Sequence, residues 1–146
     1  MNTKQTIERL KFLVEIIPQK LMTCSSEEFK IKKLKEKWSK QEILGHLIDS
    51  ATNNHQRFIR MQYGDFKTIS YDQNEWNKLQ GYNDIDKDFI INFWTLYNKH
   101  IVHILEKIPQ KDLSNAVPDQ NCESLEWYID HYVEHQEHHL HQIIDY

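Results

Sequence analysis

The sequence predicts an all-α protein, and within that class a four-helix bundle. Three observations carry the prediction. Four long segments repeat apolar residues at three- and four-residue steps, the period of a helix that buries one face. Gly and Pro number only three each in 146 residues, too few for the many tight turns of an all-β chain. Residues suited to capping helices stand at the segment starts. A chain of this length is expected to form one domain with a substantial core, and four long amphipathic helices bury their stripes against one another.

The first helix is expected over residues 3–22, with Ile7, Leu10, Leu13, Val14 and Ile17 as its stripe. Pro18 is expected to kink it or end it early, because proline removes a backbone donor. Thr23, Cys24, Ser25 and Ser26 follow as a terminator. Residues 24–38 are rich in lysine, with Phe29, Ile31 and Leu34 as sparse apolar anchors, and are expected to form a loop with at most a short turn.

The second helix has the clearest start. Ser39 and Glu42 form a capping-box pair, with Trp38 placed as a hydrophobic staple. Ile43, Leu44, Leu47, Ile48, Ala51, Phe58, Ile59 and Met61 mark its buried stripe, and Gly64 ends it. Residues 64–84 read as a long connection. Tyr71 and Trp76 within it suggest a packed, functional loop rather than a bare linker. The third helix is expected to start at Asp84 or Asp86 and to run through Phe89, Ile90, Phe93, Trp94, Tyr97, Ile101, Ile104 and Leu105 until Pro109 stops it. Residues 109–123 read as a loop. Ser124 caps the fourth helix, which is expected to reach the end of the chain. Periodicity alone does not settle the order of the bundle, since two long connections allow crossovers.

Composition narrows the function. The net charge is −4, which argues against a nucleic-acid partner; the one basic run, Lys30 to Lys37, reads as a solvated face. No run approaches the ~18 apolar residues of a membrane span and the N-terminus has no signal core, so no membrane partner and a cytoplasmic location are expected. Cys24 and Cys122 stand apart and read as reduced thiols.

Histidine is the distinctive residue. Five of the nine histidines lie between His131 and His141. On a helix, His135 and His139 are i,i+4 neighbours on one side, close enough to share a metal ion, while His131, His138 and His141 fall on the polar face. One helix cannot close such a site. On the second helix, His46 falls at the stripe margin beside Ser50 and His55 falls inside it. By pattern alone His55 is the more buried of the two, as a core histidine bonded to a carbonyl, and His46 reads as an ordinary flanking residue. His100 and His103 have no ligand partner at suitable spacing.

Three stretches resemble a known family. Trp38-Ser39-Lys40-Gln41-Glu42-Ile43-Leu44-Gly45-His46-Leu47-Ile48-Asp49-Ser50 is similar to the second-helix signature of the DinB/YfiT-like superfamily. Tyr71-Asp72-Gln73-Asn74-Glu75-Trp76 is similar to the connecting segment of its YfiT-like branch. The stretch from His135 to Ile143 resembles the H-x-x-H-H motif of the last helix. The resemblance implies a bundle in up-down-down-up order, often a homodimer. It also implies a divalent metal, zinc or nickel foremost, held by His46, His135 and His139, with no catalytic residue beyond these ligands. Asp49, Tyr71, Trp76 and His138 are the expected pocket or supporting residues. The activity it implies is transfer of a low-molecular-weight thiol such as bacillithiol to a small electrophilic substrate. The alternatives are a hydrolase on the same site and a non-catalytic metal-binding or dimerisation module. Three neutral imidazoles leave a coordination position open, as in catalytic rather than structural zinc sites, and a coordinated thiol is deprotonated.

Overall fold

The computed structural model describes residues 2–119 and 121–146. Six α-helices follow one another: α1 (Thr3–Met22), α2 (Ser26–Lys30), α3 (Lys40–Arg60), α4 (Gln73–Gln80), α5 (Lys87–Lys107) and α6 (Leu125–Leu140). The four long ones, α1, α3, α5 and α6, form the bundle. Close packing joins α3 to α5, α1 to α5, α3 to α6 and α1 to α6, so the order around the bundle is α1, α5, α3, α6.

Side-chain contacts give the directions. Thr3 donates to Glu126, Thr6 to Asp130 and Arg9 to Glu137; both sets of numbers rise together, so α1 and α6 run parallel. His46 faces His139 while Phe58 faces Tyr132, so α3 runs against α6. Gln41 bonds the carbonyl of Ile85 and His55 meets His100, so α5 runs with α3. The order is up-down-down-up, and the parallel α3–α5 pair requires a connection that crosses the whole bundle.

Pro18 does not end α1, which continues to Met22. The side chain of Lys87 covers the end of that helix, its Nζ lying 3.1 Å from the carbonyl oxygen of Met22 and 2.5 Å from that of Cys24. A cation at a helix C-terminus satisfies carbonyls that have no amide partner. Large side chains reach across the bundle centre. Trp94 Nε1 donates to Gln136 Oε1 at 3.0 Å, and Tyr132 Oη donates to Asn98 Oδ1 at 2.6 Å. All four residues are buried, and their polar atoms are paired, as the dry interior requires.

Three expectations need correction. Residues 24–38 are not only loop: Ser25 caps the short helix α2, whose Phe29 is fully buried in the core. The connection 64–84 contains α4, capped by Asp72, and a 3₁₀ turn at Tyr82–Asp84. Helix α6 stops at Leu140 rather than at the chain end, and the last residues fold back so that Ile143 is buried. The third bundle helix is capped by Asp86, one of its two expected caps. Cys24 and Cys122 are both free, and no helix among the described residues is long and apolar enough to cross a membrane.

Candidate metal centre

One stretch of α3 is enclosed on every side. Leu44 to Ala51 are eight consecutive buried residues, which a helix reaches only when other elements cover its outer face as well as its stripe. The connection supplies the cover. Asn77 of α4 donates to the carbonyl of Glu42 at 2.8 Å, and Tyr82 lies flat over Gly45, where a Cβ would stand 2.1 Å from Tyr82 Cδ2. His46 is thereby only 2% exposed, with the Trp38 ring 4.9 Å away. His55, one half-helix further on, is half-buried at the α3–α5 edge and bonds Tyr97 Oη at 3.0 Å through Nδ1. The expected ranking of the two is reversed, and the partner of His55 is a hydroxyl rather than a carbonyl.

Helix α6 brings His135 and His139 to His46. The three ring centroids are separated by 5.0, 4.8 and 4.7 Å, and one nitrogen from each ring lies within 4.8 Å of the others. His46 Nε2 and His135 Nε2 are 3.1 Å apart. Metal–nitrogen bonds of 2.0–2.1 Å place two ligand nitrogens ~3.3 Å apart in a tetrahedron and ~2.9 Å apart at an octahedral right angle, so the observed separation suits a shared ion. Without an ion or a proton between them, two lone pairs would face each other at this distance.

The outer nitrogens support that orientation. His139 Nδ1 bonds Gln142 Oε1 at 2.9 Å, and His135 Nδ1 faces Ser50 Oγ at 3.4 Å. An Nδ1–H donated outward leaves Nε2 as the inward lone pair. His46 Nδ1 is buried without a partner. Burial pulls the imidazole pKa of His46 down to about 4 and that of His135 to about 3, with the neighbouring histidines adding to the effect. Burial also lowers His139, partly offset by its bond to Gln142. All three are therefore neutral at pH 7, the form that binds metal.

The remaining expected residues divide. Tyr71 lines the cleft beside the triad; burial raises its hydroxyl pKa to about 12, and nearby Asp49 adds to that. Trp76 packs against Tyr71, rings 5.1 Å apart, and supports it from outside the cleft lining. Asp49 is fully buried, but Tyr82 Oη and Gln80 Nε2 donate to its Oδ1 at 2.6 and 2.9 Å. It pins the connection to α3 and makes no hydrogen bond to the triad. His138 is exposed, its ring 4.9 Å from that of His139. His131 stacks on Trp127, and His141 on Tyr146.

One cleft opens onto the triad, and a second is lined by residues that contact it. The first, of about 340 Å³, runs from His46 and His135 past Ser50 and Tyr71 to Arg57. The other, of about 760 Å³, has Trp38 and Gln142 at its edge and Ile31, Leu34 and Ile43 along it. Gln73, the first residue of α4, borders both. Gln142 escaped the sequence reading although it stands three residues after His139, a spacing that puts it on the same face. Nothing in the sequence pattern pointed to Arg57.

The sequence pattern of the DinB superfamily matches residues 2–143. The fold is similar to that of YfiT from Bacillus subtilis, with a TM-score of 0.82 and 20% identity over 97% of this chain and 83% of that one. That structure is described as "a probable metal-dependent hydrolase with an unusual four-helix bundle topology". No curated protein sequence matches significantly.

Proposed function

Given that the chain belongs to the DinB superfamily, we propose that it is a metal-dependent enzyme that transfers a low-molecular-weight thiol to a small electrophile. The observation that carries this reading is the convergence of three neutral imidazoles, His46, His135 and His139, two of which, His46 and His135, line an open cleft. These three are the proposed ligands, and zinc or nickel suits an all-imidazole set. A divalent ion held there supplies Lewis acidity, lowering the pKa of a thiol or water in its open position.

The protein's own residues do the rest. Gln142 and Ser50 fix the rings of His139 and His135. Trp38 and the bundle keep water from the inner side of His46. Tyr71 keeps its proton at neutral pH and is the proposed hydrogen-bond donor to a substrate in the cleft. Neither cysteine lines either cleft, so the sulfur nucleophile comes from outside the chain. The second cleft, bordered by Trp38 beside His46 and by Gln142 bonded to His139, gives room for a second reactant next to the first, which favours transfer.

The second reading is hydrolysis on the same centre, favoured by the description of the YfiT structure. Metal analysis of the purified protein, followed by a screen of thiols against epoxides, halides and activated alkenes, separates the readings. Electrophile consumed only with thiol supports transfer. Consumption without thiol supports hydrolysis. Metal bound but no turnover in either arm leaves a binding module and ends the enzymatic reading.

A further inference from the structure

The cleft that starts at the triad ends at a cation without a carboxylate partner. The chain has three arginines. Arg9 pairs with Glu137, and Arg60 pairs with Asp65. Arg57 has no carboxylate within ion-pairing reach among the described residues. It is half-buried, and burial pulls its pKa below the ordinary value. Glu123 acts on it only from beyond ion-pairing distance, and a half-buried guanidinium with no direct counter-ion is costly unless something anionic visits it.

The surroundings hold Arg57 still and leave part of its fork free. One terminal nitrogen donates to Asn54 Oδ1 at 3.0 Å and the other to the carbonyl of Ile69. The Tyr128 ring lies 5.0 Å from its Cζ. These contacts use two of five N–H groups. Glu123 also lines the cleft; its Oε2 accepts from Tyr128 Oη at 2.7 Å, which holds the carboxylate on Tyr128 rather than on the guanidinium. Arg57 lies seven residues, or about 10 Å of helix axis, beyond Ser50 at the triad.

We propose that Arg57 binds a carboxylate at the far end of an elongated thiol ligand whose sulfur lies at the histidine triad. The ligand class is thus an anionic thiol, stretched along the cleft past Ser50 and Tyr71 with its acid group at Arg57. Recognition of the carboxylate needs only the cleft, whereas placement of the sulfur rests on the proposed function above.

The test uses mercaptooctanoate and its neutral analogue mercaptooctanol. Cobalt-loaded protein reports thiol binding through the thiolate-to-cobalt charge-transfer band, and metal-free protein reports it by calorimetry. The acid is expected to bind about tenfold or more tightly than the alcohol, since a hydrogen bond to a charged group contributes about 1.5–3 kcal/mol. Arg57→Gln should erase the preference while leaving the affinity for the alcohol unchanged, and Arg57→Lys should retain part of it. Equal affinities, no binding of either ligand, or equal weakening of both in Arg57→Gln overturns the proposal. A protein that takes up no metal yet prefers the acid in calorimetry overturns the proposed function and the sulfur placement, and upholds Arg57 as the anion anchor.

Discussion

Gly45 and Asp49 decide how closely the connection lies on α3. Gly45 has no Cβ to meet Tyr82, and Asp49 accepts the Tyr82 hydroxyl one turn later. Gly45→Ala should therefore destabilise by about 1–3 kcal/mol through overpacking, read as a lower urea midpoint; an unchanged midpoint would mean that Tyr82 moves aside freely. Protonation gives a second residue-scale prediction. His46 and His135 titrate at about 4 and 3 in the fold, against an ordinary 6.5. The unfolded chain thus takes up protons first, so the metal-free protein loses stability as pH falls from 6.5 towards the folded values and gains nothing above 6.5. A thermal midpoint as high at about pH 5 as at about pH 7.5 would contradict the buried, neutral state. The i,i+4 pair His135 and His139 was legible because both lie on one helix. The burial of His46 was not, because helix periodicity registers a stripe and is blind to a connection folded over the opposite face.

Helix α3 was legible at its start because its cap is local in sequence. Ser39 Oγ accepts from the Glu42 amide at 3.1 Å, and the Ser39 amide donates back to Glu42 Oε1 at 3.0 Å. The same Oγ donates to Asn83 Oδ1 at 2.7 Å, and Ser39 is buried. Ser39→Ala should cost about 0.5–2 kcal/mol, towards the upper end because Asn83 also loses its partner; an unchanged midpoint and slope in denaturant would remove the cap. Helix α4 was illegible for the opposite reason. Its Leu79 is 80% exposed, and its hold on α3 includes the Asn77 and Gln80 side chains. A helix anchored by amides leaves no apolar stripe to read. Helix α2 is a single turn around Phe29, too short for a period to show.

For the whole molecule, the bundle was legible in four apolar stripes, whereas its direction and order are set by contacts far apart in sequence. Because α5 runs parallel to α3, the connection between them must cross the bundle, and it brings Tyr71 and Gln73 to the metal end. The core gathers residues from all four long helices, so burial of apolar surface rather than an ion supplies the main driving force for folding. In the proposed site, His46, His135 and His139 hold one metal ion on a bundle that folds without it. Metal content per protomer, measured on six single variants with circular dichroism as the folding control, tests it most directly. His46→Ala, His135→Ala and His139→Ala should each lose the metal and keep their helicity, while His131→Ala, His138→Ala and His141→Ala keep both. Loss of the metal from His138→Ala with retention by His139→Ala, or no change in any of the six, would contradict the account.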